Sequence, residues 1–84
     1  MNEAEIWQSD YEWIKKEMSW EITKCKIRKL SFIHDGKIMV AEVGKPNPYN
    51  DVPIRKIYQV THGAYVLCGG NITIAPKDSL VEEY

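Results

Sequence analysis

The sequence predicts a mainly β domain of the α+β class, one N-terminal helix followed by a small antiparallel β system. Three observations carry this. Trp7, Tyr11, Ile14 and Met18 recur at the spacing of a single helix face. From Ile22 onward, apolar residues are interspersed with polar ones in short runs rich in β-branched and aromatic residues. The runs are punctuated by Asp35-Gly36, His62-Gly63 and Gly69-Gly70, pairs of the kind that close two-residue hairpins. At 84 residues the chain is expected to be one domain, 1–84, with the helix over about 3–18 and the β part over about 20–83.

Two helix starts compete. Asn2 with Glu5 offers a cap for a start near residue 3. Ser9 with Glu12 forms a better capping box, with Ser9 accepting the Glu12 amide, for a start near residue 10. The helix is expected to end near Met18. Trp13 and Trp20 lie off the main stripe. From Ile22 to Ile33 the pattern reads as a strand whose apolar phase changes near Lys24-Cys25 and again near Lys29-Leu30, as a bulge or strong bend would produce. A continued helix over residues 20–29 is the alternative.

Asp35-Gly36 is the strongest turn signal. A two-residue loop there pairs Ile33 with Ile38, Phe32 with Met39, Leu30 with Ala41 and Lys29 with Glu42, so apolar meets apolar and opposite charges meet. Gly44 to Pro53 is proline-rich and reads as a loop, because proline cannot donate to a ladder. Two-residue loops at His62-Gly63 and Gly69-Gly70 would place Tyr58, Val60, Tyr65, Leu67, Ile72 and Ile74 on one face. Pro76-Lys77-Asp78-Ser79 makes a last turn, and Leu80-Val81 a short final strand.

About five short, bent strands are expected to close into a partly open, SH3-like barrel, since closure hides strand edges. Ile33-His34-Asp35-Gly36-Lys37 through Val43 resembles the first Sm signature, and Leu67-Cys68-Gly69 through Ile72 resembles the second. Ala41 stands where that family prefers glycine, and Gly44 to Tyr58 lacks its Asp and Asn pattern. The resemblance implies an Sm-like arrangement, a helix placed before about five strands.

Composition narrows the function classes. Apolar residues make up 44% of the chain, enough for a core, and the net charge of −1 speaks against a generally basic nucleic-acid binder. No apolar run approaches the roughly 20 residues that span a bilayer, and no N-terminal stretch combines basic residues with an apolar run, so a signal peptide is not expected. A reducing, cytoplasmic setting with Cys25 and Cys68 as thiols, and no membrane association, is the expectation.

No assembled chemistry is visible, so neither an enzyme nor a cofactor is expected. His34 and His62 both sit beside turn glycines, and sequence places no partner within reach of either. His34 and Asp35 are adjacent, and strand neighbours point to opposite faces. Cys25 and Cys68 read as strand packing. His34, His62, Cys25 and Cys68 lack the close ligand pairs of a zinc site, so no metal is expected. Gly69-Gly70-Asn71 leads into a strand, whereas a phosphate loop leads into a helix.

The expected function is a small non-catalytic binding module acting through protein contacts. Its size and style are similar to accessory proteins or inhibitors of bacteriophages and mobile elements. The contact candidates are Tyr49, Asn47, Asn50 and Asp51 in the proline-rich loop, and Trp13 on the helix. Either the acidic helix, with Glu12 and Glu17, or the basic strand would complete that surface. The first alternative is RNA or DNA binding through Lys24, Lys26, Arg28 and the neighbouring Trp20. A second is a small-molecule binder using the barrel mouth. Self-association is a further expectation, since a small domain with three tryptophans leaves apolar surface to cover.

Overall fold

The computed structural model describes residues 6–84. A helix, α1 (Gln8–Met18), is followed by β1 (Ile22–Lys24), β2 (Ile27–His34), β3 (Lys37–Glu42), β4 (Ile54–Val60), β5 (Tyr65–Gly69), β6 (Thr73–Ala75) and β7 (Leu80–Glu83). The strands make two antiparallel sheets, ordered β1-β4-β5-β6 and β3-β2-β7. The expectation of about five strands in a partly open barrel is corrected in number: among the described residues there are seven strands, in two sheets that do not close on each other. The bent strand expected from Ile22 to Ile33 is two strands, and the chain leaves one sheet at Cys25-Lys26 and enters the other at Ile27.

Helix α1 begins after Trp7, whose extended backbone (φ −71°, ψ 128°) presents the first carbonyl, to which Tyr11 N–H donates at 3.0 Å. The Ser9–Glu12 capping box does not form, because Ser9 already lies inside the first turn and the cap has no side-chain hydrogen bond. Residues 2–5 of the alternative start lie outside the described residues, and within the described ones the helix begins only at Gln8, after the non-helical Ile6 and Trp7. Ser19 ends the helix in the left-handed region (φ 58°), with its N–H donating to Lys15 O. Ile14 and Asp10 are the buried positions.

The four-stranded sheet is covered on both faces. Ile57, Tyr65 and Leu67 pack with Ile27, Leu30, Phe32 and Ala41 of the second sheet. On the opposite face, Tyr58, Val60, Val66 and Cys68 pack with Ile14 of α1, with Ile22 and with Cys25. Successive β5 residues therefore enter different cores, as strand geometry requires. Each fully buried aliphatic side chain here contributes about 2 kcal/mol of apolar burial.

Register separates the hairpins. Asp35 and Gly36 both have positive φ (51° and 77°), and β2–β3 pairs as its turn chemistry predicts, Ile33 with Ile38 through Lys29 with Glu42. The two later hairpins are each one residue out from expectation. Thr61–Gly63 forms a 3₁₀ turn, so Tyr58 pairs with Val66 rather than Leu67. Leu67 pairs with Thr73 rather than Ile72. Each slip reverses every subsequent side chain. Leu67 consequently faces the second sheet, while Ile72 packs on the α1 side, so the single face expected for Tyr58, Val60, Tyr65, Leu67, Ile72 and Ile74 does not exist.

Candidate functional site

The outer face of the three-stranded sheet is where apolar surface meets water. Strand pairing lays it out in rows. Ile38 lies beside Ile33; Val40 lies beside Ser31, which lies beside Leu80; and Glu42 lies beside Lys29, which lies beside Glu82. Ile33, Ile38 and Leu80 are 71%, 78% and 76% exposed. The inward-facing Leu30, Phe32 and Ala41 are buried, so this exposure marks one side of the sheet. Ser31, small and central, forms part of a groove of about 270 Å³ lined by Ser31, Phe32, Ile33, Ile38, Asp78 and Leu80. The third row is charged and ion-paired, with Lys29 Nζ 3.7 Å from Glu82 within it and Arg28, from beside the row, near both Glu42 and Glu82. Sequence reading missed this face, although its register prediction already placed Ile33 and Ile38 opposite each other.

A second cluster lies under α1. Asp10, 2% exposed, accepts from the Arg55 guanidinium and from Tyr58 Oη at 2.9 Å. The Trp7 N–H donates to Tyr58 Oη at 3.2 Å, and the Arg55 guanidinium lies 4.4 Å from the Trp7 ring centroid. Burial, then the bonded Asp10 carboxylate, push the Tyr58 phenol well above its ordinary value. Cys68, buried nearby, has its thiol pushed up to about 12, by burial first and then by Asp10. A protonated thiol sealed in the core is a poor nucleophile. The cluster is a half-buried ion pair in which both Asp10 carboxylate oxygens are engaged while Arg55 Nε has no partner, and it docks the helix on the sheet.

The predicted contact residues divide. Asn47 is 1% exposed and organises the proline-rich loop: its amide donates to Thr73 Oγ1 at 2.8 Å and its Oδ1 accepts from Tyr49 N. Asn50 Oδ1 accepts from Val52 N, and Pro46 bridges to Pro53. Tyr49 folds back, stacked on Phe32 at 5.7 Å and edge-on to His34 at 5.2 Å. Burial, then Asp35, raise its phenol above the ordinary range. Asp51 is exposed with φ 62°, and Trp13 is 36% exposed on α1.

The basic residues expected on one strand face occupy two strands of different sheets. Lys24 ends β1 and lies 3.4 Å from Glu83, Arg28 of β2 is bound to Glu82, and Lys26 stands in the corner between the strands. Trp20 packs partly into the α1-side core, its ring 6.2 Å from that of His62. His34 does meet a neighbour, since the left-handed backbone at Asp35 brings that carboxylate within 3.4 Å of Nε2. This corrects the expectation that strand alternation holds the two apart. Both cysteines are buried and no disulfide joins them. Among the described residues, no group of three His, Cys, Asp or Glu converges as a metal site would, and no helix is long and apolar enough to cross a membrane.

Compared with known proteins, the chain matches no family model, no curated protein and no solved structure.

Proposed function

We propose that the protein is a non-catalytic binding module whose contact with a partner protein is made by the outer face of the β3-β2-β7 sheet. The observation that carries this is the aliphatic surface of Ile33, Ile38, Val40 and Leu80, contiguous across paired strands and left in water. Contiguous exposed apolar surface is unfavourable unless something covers it, whereas single exposed aliphatics need no explanation. The rim suits such a contact, with the paired Glu42, Lys29 and Glu82 row on one side and Asp78 on the other. This face takes the place of the proline-rich loop as the main surface, because Asn47 and Tyr49 are engaged within the fold.

A groove of about 270 Å³ is at or below the small end of ligand pockets, which run from about 300 Å³. That favours a partner's side chain over a separate small molecule. Against a nucleic-acid interface stand the carboxylates within 4 Å of Lys24, Arg28 and Lys29, since ion-paired cations release fewer counterions on meeting phosphate.

The test is affinity capture from the native host with the wild type and with an Ile33→Thr, Leu80→Thr double variant side by side, followed by reconstitution with the purified partner. A stoichiometric partner that the double variant binds at least about tenfold more weakly supports the reading; two apolar anchors lost at an interface account for that loss. A partner held equally by both proteins, or binding only to nucleic acid that weakens steeply with salt, overturns it.

A further inference from the structure

We infer that a second copy of this chain pairs along the open edge of β3, joining two three-stranded sheets into one. The inference stands on backbone geometry and does not depend on which protein covers the outer face.

Among the described residues the strand order leaves four open edges: β1, β6, β3 and β7. Natural proteins blunt such edges by keeping them short or charged. β1 and β6 are three residues each, and β7 is four residues ending in Glu82 and Glu83. β3 is six residues long, Lys37 to Glu42, with Ile38, Met39, Val40 and Ala41 uninterrupted between its charged ends. Among the described residues it is the longest open edge and the only one with four apolar residues in a row.

The edge also has its backbone groups correctly placed. Val43 N donates to Arg28 O at 3.0 Å, which makes those two a hydrogen-bonded pair of the antiparallel ladder. Alternation then assigns Ala41 and Met39 to β2, and turns the N–H and C=O of Val40 and Ile38 toward the open side. The same two residues carry the exposed apolar side chains of that strand.

These constraints select a register for a two-fold pair. Residues that face each other must share both the outward face and the outward backbone groups. Placing the axis at Met39 sets Ile38 opposite the partner copy's Val40, and Val40 opposite its Ile38, so two β-branched pairs form and no like charges meet. Moving the axis to Val40 would set Ile38 against Glu42 instead. Strand reversal makes this edge complementary to itself, and that commits the occupant to a second copy rather than an unrelated strand. The resulting face carries Ile33, Ile38, Val40 and Leu80 from both copies in one continuous surface.

The experiment is native mass spectrometry and light scattering of the purified full chain over a micromolar dilution series. The wild type is expected at twice the 9.8 kDa chain mass. Val40→Pro removes only an amide that points away from β2, so it is expected to run at the single-chain mass with an unchanged circular-dichroism spectrum. Two double variants, I38K/V40K and I38E/V40E, keep every amide and are each expected to be monomeric, while an equimolar mixture regains the dimer mass. A wild type that stays monomeric throughout the series overturns the inference, as does a folded Val40→Pro protein that remains dimeric. Charged variants that dimerise alone as well as they do when mixed also overturn it.

Discussion

The β2–β3 hairpin and the β4–β5–β6 meander are both antiparallel runs of short strands, yet one keeps a face in water and the other is covered on both sides. In β2, Leu30 and Phe32 are buried while Ile33 is exposed. In β5, Tyr65, Val66, Leu67 and Cys68 are all buried. The difference teaches where a fold of this size is rigid and where it is available. A one-sided sheet fixes its register by keeping one row out of the core, and that row remains free to meet a partner. A two-sided sheet gives up any contact surface on its faces and gains the two cores that hold the domain together.

The sharpest way to break this comparison is to add one methyl group to a glycine in each region. A Cβ on Gly69 would sit 2.4 Å from the backbone carbonyl oxygen of Pro53, between the covered sheet and the proline-rich loop. Neither neighbour is a flexible side chain, so Gly69→Ala is expected to cost about 3 kcal/mol, read from urea unfolding. A Cβ on Gly36 meets nothing within 4 Å, and only its positive φ of 77° resists substitution. Gly36→Ala is expected to cost about 1 kcal/mol. Equal losses at the two positions would mean that the two-sided sheet is no more tightly fixed than the hairpin.

The same contrast explains what was legible in the amino-acid sequence. The Tyr11, Ile14 and Met18 part of the helical stripe, the helix end near Met18, the proline-rich loop and the β2–β3 register were readable, because each is written in local turn chemistry or in one-sided periodicity; Trp7, the first residue expected in the stripe, precedes the helix and is 48% exposed. Asp35-Gly36 names its turn type by itself. His62-Gly63 and Gly69-Gly70 do not, since Thr61–Gly63 makes a 3₁₀ turn and Leu67 lies across from Thr73 rather than Ile72. With apolar residues on both faces of β4 and β5, periodicity carried no phase that could correct the slip. The Asp10–Arg55–Tyr58 cluster was hidden for another reason: its members lie 45 and 48 positions apart, and only tertiary folding brings them together. The exposed face was half visible. Ile33 and Ile38 were correctly paired, but pairing alone does not say which side of a sheet is left in water.

A second distinction between the regions is chemical. Cys68 belongs to the covered sheet, and its thiol is raised from 9.0 to about 12. The native state therefore holds a proton that the unfolded chain releases above pH 9. Stability from this group is complete below pH 9 and is lost as the pH climbs from 9 toward 12. The slope is about 1.4 kcal/mol per pH unit, so roughly that much is lost by pH 10. Tyr58, whose phenol is also raised, adds a loss of the same sign at higher pH. Urea midpoints measured from pH 8 to pH 10.5 are expected to fall, and Cys68→Ala is expected to flatten the fall over its first unit. An unchanged slope in that variant would place the thiol in contact with solvent and remove the seal attributed to α1.

The smallest effect is expected on the open face, and its smallness is informative. Replacing Ile33 and Leu80 by threonine keeps strand propensity at the first position and removes side chains that are 71% and 76% exposed in the structure. Little apolar area returns to water, so the double variant is expected to unfold within about 0.5 kcal/mol of the wild type, against about 3 kcal/mol for Leu67→Ala in the buried strand. Edge pairing through β3 leaves the outer face of each copy's three-stranded sheet uncovered, so this expectation holds for one copy or two. A loss of several kcal/mol, growing with protein concentration, would show that copies stack face to face through Ile33 and Leu80, and the open side of the comparison would then be a third core.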